Sequence, residues 1–142
     1  MKRLYLAALV FIIFVFAVSC GKAAVKKVSE DSKIATETFA VVDDIKEAYI
    51  RKDISGLEKD TTSEGLRAIT GVMKTFDSAE LNFSPIFVEI DGGNVDLNVS
   101  WKGVWKSGEK TTEERGMAVF VFKGMPLKLD AILRGNPFKY PE

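Results

Sequence analysis

The chain has 142 residues, no histidine and one cysteine, and its 20 cationic side chains match 20 anionic ones. Lacking imidazole and a second thiol, it has no means of Ser-His-Asp or Cys-His catalysis, of a zinc site built on those ligands, or of an internal disulfide. Near-neutral charge also argues against a nucleic-acid binder.

The chain opens on Lys2 and Arg3, followed by 15 apolar residues from Leu4 to Val18. As a helix that run is about 22 Å long, against a bilayer core of about 30 Å. It is short for a membrane span and has the length of a secretory h-region, and the small Ala17 and Ser19 suit cleavage. The stretch Ala17-Val18-Ser19-Cys20 resembles the lipobox of bacterial lipoproteins. The resemblance implies a diacylglycerol on the Cys20 sulfur, cleavage before Cys20 and acylation of the new amine. Ser19 and Cys20 match the two most restricted positions, whereas Ala17 stands where leucine is preferred. A secretory signal with an incidental cysteine is the plainer alternative. Two or more acyl chains hold a protein to a membrane where one does not. Gly21 in place of aspartate implies, by the enteric rule for that family, the periplasmic face of the outer membrane.

The expected division is a signal peptide over 1–19, a lipidated cysteine with its tether over 20–32, and one domain over 33–142. Removing residues 1–19 takes away Lys2 and Arg3. It leaves 123 residues with 18 cationic and 20 anionic side chains, net −2, a length suited to one core. Fully extended, Gly21–Ser32 reaches about 40 Å. Lys22, Lys26 and Lys27 either touch anionic head groups or are ordinary solvated charge.

The spacing predicts a first helix over Lys33–Lys52. Ile34, Thr38, Val41, Ile45, Ala48 and Lys52 form its apolar stripe, widened by Val42 and Tyr49. A short second helix follows, with Ser55 and Glu58 as a capping box. A third is expected over about Glu64–Phe76, capped within Thr61-Thr62-Ser63, with Leu66, Ile69, Met73 and Phe76 on one face. From Leu81 the period changes to 2. Ile86, Val88 and Ile90 alternate with Phe87 and Glu89 before the turn Asp91-Gly92-Gly93-Asn94. Val95, Leu97, Val99, Trp101, Gly103 and Trp105 point one way in the next strand, with Asp96, Asn98, Ser100 and Lys102 opposite. Arg115–Lys123 is apolar on both faces and therefore covered on both sides or placed at an interface. Leu127, Leu129, Ala131 and Leu133 alternate with Lys128, Asp130 and Arg134. Helices first and strands after indicate an α+β domain, helices packed on an antiparallel sheet of about four strands.

The long first helix, the Lys52-Asp53-Ile54 step, the meandering strands, the ending Leu127–Ile132 and the tail Gly135-Asn136-Pro137-Phe138 resemble the nuclear transport factor 2-like (cystatin-like) superfamily. The resemblance covers about Ile34–Phe138. It implies a strongly curved sheet wrapped around the helices as a cone with an apolar pocket. Members include isomerases, dehydratases, epoxide hydrolases and non-catalytic binding modules, so the fold fixes no activity.

Candidate pocket residues are Tyr49, Trp101, Trp105, Asp130 and Arg134. Tyr49, late on the first helix, is either a pocket phenol able to donate to an oxyanion or a core-rim tyrosine with its hydroxyl in water. Trp101 and Trp105 share a sheet face and line a pocket or form core. Asp130 and Arg134 share the less apolar face of the last strand, as a polar-group clamp or a solvated face. Asp96 and Asp130 are the carboxylates considered as a base. Phe120 and Phe122 are the interface candidates, a homodimer being one outcome and cover by the chain's own helix or tail the other. No metal site, no cofactor and no nucleic-acid partner is expected. The resulting expectation is a membrane-held, non-catalytic domain binding a small apolar molecule or a protein partner. The alternatives are an envelope enzyme using Asp and Tyr, or a structural subunit of an envelope complex.

Overall fold

A computed structural model describes residues 29–141. The signal segment, Cys20 and the tether as far as residue 28 lie outside the described residues. Three helices come first: α1 (Glu30–Arg51), α2 (Ile54–Asp60) and α3 (Ser63–Thr70). Four strands follow: β1 (Ser78–Asp91), β2 (Asn94–Ser107), β3 (Lys110–Lys123) and β4 (Lys128–Arg134). They form one antiparallel meander in the order β1-β2-β3-β4, so the α+β order read from the sequence holds. No helix among the described residues is long and apolar enough to cross a membrane.

Helix α1 begins one turn before the expected Lys33, because Ser29 is a competent cap. Its hydroxyl accepts from the Ser32 N–H at 3.2 Å, and Glu30 and Asp31 place negative charge at the positive end of the helix dipole. Its buried face is Thr38, Val42, Ile45, Ala48 and Tyr49. Lys52, expected to close the apolar stripe, instead ends the helix in the left-handed region at φ 59°. Its ammonium donates to the Phe76 carbonyl and sits 4.6 Å from the centre of the Phe76 ring.

Of the other two helices, α2 is capped differently from expectation, and α3 is capped where expected but ends earlier. Asp53, not Ser55, caps α2, accepting from Gly56 N–H at 3.0 Å. A carboxylate in the extended conformation just before the helix outcompetes a serine already inside it. Thr62 caps α3 through Gly65 N–H at 3.2 Å. That helix stops at Thr70 rather than near Phe76, with Gly71 as its C-cap. Phe76 therefore reaches the core from the segment after α3 and is 3% exposed.

Helix α3 lies directly against β4. Thr62 N–H donates to the Leu129 carbonyl at 2.9 Å, and Thr61 and Leu129 form a parallel bridge. A Cβ on Gly65 would sit 2.0 Å from that same carbonyl oxygen. The glycine that weakens the helix as a free segment is what allows this approach.

Two register shifts reset which residues face inward. On β1, Pro85 pairs with Val99 and Phe87 with Asn98, which leaves Ile86 as a bulge. Val88 and Ile90 oppose Leu97 and Val95, whereas Leu81 and Phe83 oppose Gly103 and Trp101. Ile86 accordingly does not continue the Val88–Ile90 face and is half exposed, as is Phe87. On β4, Phe122 pairs with Leu129 and Val121 with Ala131, leaving Asp130 unpaired. Ile132, opposite Phe120, takes the inner face, while Ala131 and Leu133 turn outward against Val121 and Val119. The expected alternation through Leu127–Leu133 therefore breaks at Asp130, since one extra residue reverses every later side chain.

The core fills the space between the helices and the inner sheet face. Tyr49, Leu57, Ile69, Trp105, Phe120, Phe122 and Phe138 are its large, fully buried members. The C-terminal tail completes it. Asn136 Nδ2 donates to the Ala68 carbonyl at 2.8 Å, and its Oδ1 accepts from Phe138 N–H at 2.9 Å. Both ends of one amide thus lock the tail on α3 and turn Phe138 inward.

Candidate functional sites

The inner face was expected to form a pocket. Late on α1, the last buried turn sets Tyr49 under the sheet with no exposed surface. Trp105, also fully buried, donates its indole N–H to the Tyr49 hydroxyl at 3.0 Å. Removal from water makes the phenolate costly, and this pushes the Tyr49 pKa up despite the opposing hydrogen bond from Trp105. Phe76 and Phe138 close on the same ring, with centroids 5.3 and 5.0 Å away. Phe138 also meets Phe83 and Phe120, each at 6.1 Å. The space among Val42, Ile45, Phe120, Phe122, Leu129 and Phe138 has no room for a water molecule.

This corrects the expected geometry. The Tyr49 hydroxyl is neither in water nor facing a pocket; it is a buried hydrogen-bonding group of the core. Trp105 is core. Trp101 is 5% exposed, with its ring against the backbone of Gly116 and Gly135, and its buried N–H has no hydrogen-bond partner among the described residues. Phe120 and Phe122 are 1% and 0% exposed. They are covered by the chain's own helix and tail, so neither presents a ring to a partner.

Asp130 and Arg134 do not share a face. At the bulge, Asp130 accepts from the Thr62 hydroxyl at 2.9 Å and pairs with the Lys123 ammonium at 2.6 Å. The Lys123 bond, then the Thr62 bond, hold its carboxyl below the usual range. An anion so stabilised is a poor general base near neutral pH. Arg134, opposite Ala118, is exposed at the strand end in the left-handed region, φ 68°. Asp96 pairs with Glu89 and Val121 on the outer sheet face, remote from Tyr49. Neither carboxylate hydrogen-bonds Tyr49. Among the described residues no group of three or more acidic side chains is placed to hold a metal.

On the outer face a concavity of about 560 Å³ lies across β1, β2 and β3, lined by Asn82, Ser84, Ser100, Lys102, Arg115 and Met117, with Trp101, a candidate pocket residue, at its base beside Gly116. Apart from Trp101, its lining residues are not among the candidates from the sequence. These side chains fall together because Asn82 pairs with Lys102, Lys102 with Arg115, Ser84 with Ser100, and Ser100 with Met117. Lys102 is tied to Glu113 at 3.1 Å. Met117 and Leu133 are about half exposed, and Val119 and Val121 continue the same outer row on β3. The apolar outer row of the doubly apolar strand, Met117, Val119 and Val121, is the signal in the sequence for this face.

No family model matches the sequence, and no curated relative matches it. A solved structure does. It is a nuclear transport factor 2 (NTF2-like) superfamily protein from Salmonella enterica subsp. enterica serovar Typhimurium str. LT2. The two align with a TM-score of 0.63 at 13% sequence identity, covering 75% of this chain and 93% of that one. The chain has the NTF2-like fold: three N-terminal helices packed on a four-stranded antiparallel sheet.

Proposed function

We propose that the chain is a lipid-anchored cell-envelope protein, held through Cys20 at the periplasmic face of the outer membrane. Its NTF2-like domain is non-catalytic and holds a protein partner on the outer face of the sheet. The observation that carries this reading is the packed deep interior, where Tyr49, Trp105, Phe76 and Phe138 fill the space between helix and sheet; the cleft left between α1 and the inner sheet face, lined by Phe39, Val42, Phe83 and Leu97, is about 160 Å³, below the size of a typical small-molecule site. An enzyme reading needs a carboxylate converging on Tyr49, and none among the described residues hydrogen-bonds the phenol, which accepts from the Trp105 indole. A partner reading is favoured by the wide outer concavity, where cationic Arg115 and half-exposed Met117 adjoin polar Asn82 and Ser84. Such mixed, accessible surface suits a protein contact better than a small apolar molecule.

The test is affinity capture of the full chain from envelope membranes, wild type against Met117→Glu and Arg115→Glu. One partner protein should be captured with the wild type and lost with both variants. A small apolar molecule found by native mass spectrometry, with capture unchanged in the variants, would overturn the partner reading. Globomycin or Cys20→Ala should accumulate precursor and abolish lipid labelling; normal processing without label would remove the anchor.

A further inference from the structure

Met125 is 98% exposed, while every other exposed large hydrophobic residue described lies at 53% or below. It stands on the β3–β4 turn, between Lys123 at the end of β3 and Lys128 at the start of β4. The Leu127 N–H donates to Glu37 Oε1 at 3.4 Å, which fixes the turn beside the N-terminal third of α1. Glu37 is seven residues into that helix from Glu30, about 10 Å along its axis. The chain outside the described residues leaves from the same end. Cys20 precedes the cap Ser29 by nine residues, which reach at most about 32 Å. The most exposed apolar side chain described therefore sits at the end of the domain where the lipid would be attached.

We propose that the β3–β4 turn is a second membrane contact, with Met125 inserted into the lipid surface; this rests on the lipid-anchor reading of Cys20. One methionine would not hold a protein to a bilayer by itself. A short tether changes the problem, because it keeps the turn at an effective concentration near ~mM at that surface. The charges nearby limit what kind of surface suits the turn. Lys123 is already paired with Asp130, and Glu30, Asp31 and Glu37 stand at the same end. The contact is apolar at Met125, with Lys128 on the other side of the turn as a cation at its rim. Two fixed points also orient the domain. Arg115 lies eight residues up β3 from Lys123, so the outer concavity stands up to about 26 Å further from the bilayer.

Met117 provides an internal control, since it is about half exposed on the outer face of β3. The lipidated chain is mixed with phosphatidylethanolamine/phosphatidylglycerol liposomes, treated with the water-soluble oxidant chloramine-T, and its methionines are followed by peptide mass spectrometry. Off a membrane Met125 should oxidise faster than Met117. On liposomes the order should invert, with the Met125 rate falling on the order of fivefold, because oxidation follows exposure. Protein that floats with the liposomes while Met125 remains the faster site overturns the second contact and leaves the anchor standing. Protein that stays in the aqueous fraction removes the anchor and this contact with it.

Discussion

The indole N–H of Trp105 donates to the hydroxyl of Tyr49 at 3.0 Å across 56 residues of chain, and both side chains are fully buried. It ties the last buried turn of α1 to the far end of β2. Tyr49→Phe deletes the acceptor and strands a buried N–H, a loss of about 1–3 kcal/mol. Urea unfolding should show a lower midpoint at unchanged slope. A variant as stable as wild type would mean that water already serves the indole.

The same phenol sets an alkaline limit. Its folded pKa lies above the ordinary 10.0, so below pH 10 it is neutral in both folded and unfolded chains and its contribution is fully present. As pH rises past 10, the unfolded phenol loses its proton while the folded one keeps it. Stability should then fall by up to ~1.4 kcal/mol per pH unit, until the folded pKa is passed. Tyr49→Phe should show a shallower decline over the same range in pH-resolved urea titrations.

Asp130 gives the opposite limit. Lys123 and Thr62 lower its folded pKa, so its contribution is complete above the unfolded value of 3.8 and is lost as pH falls through the folded one. Asp130→Asn can still accept from Thr62 but cannot pair with Lys123. The stability gap between wild type and Asp130→Asn should be widest above about pH 5 and should close in strong acid. A gap unchanged with pH would show that the ion pair contributes nothing.

Gly65 is pinned by contact, not by backbone conformation. Its missing Cβ would meet the Leu129 carbonyl oxygen at 2.0 Å, and that oxygen is held by Thr62 N–H. Backbone on both sides cannot yield as a flexible side chain would. Gly65→Ala should therefore cost roughly 2 kcal/mol or more, although alanine is the better helix former. By contrast, Gly92 and Gly93 have open space around an added Cβ; their constraint is the turn alone.

Much of the fold was legible because it is written in local periods. The 3–4 spacing from Ile34 to Ala48 and the alternation from Val95 to Trp105 identify the faces that meet in the core. Two single-residue insertions were not legible. Ile86 and Asp130 each look like ordinary members of an alternating run, yet each reverses the strand beyond it. Pro85 was the available hint, since a residue without an N–H belongs at an edge or a bulge. The filled interior was also out of reach. Tyr49 belongs to the stripe of the first helix and Trp105 to one row of a strand, but whether they line a pocket or pack together depends on Phe76 and Phe138. Those rings arrive from a loop and a tail with no periodicity to read.

Residues three apart on β3 separate the inner and outer surfaces experimentally. Phe120 is 1% exposed against Phe83 and Phe138, and Met117 is 47% exposed beside the outer concavity. Phe120→Ala leaves a cavity in a packed aromatic cluster and should cost about 3–5 kcal/mol. Met117→Glu adds a charge that water can solvate and should change stability by no more than about 0.5 kcal/mol. Partner capture should respond in the other sense: Met117→Glu should lose it while folded, and Phe120→Ala should lose it only in proportion to the unfolded fraction. Chemical denaturation and capture, run on the same preparations, give both readings. Full capture by folded Met117→Glu would move the contact off this face, because a buried carboxylate opposite an apolar partner surface has no way to keep its water.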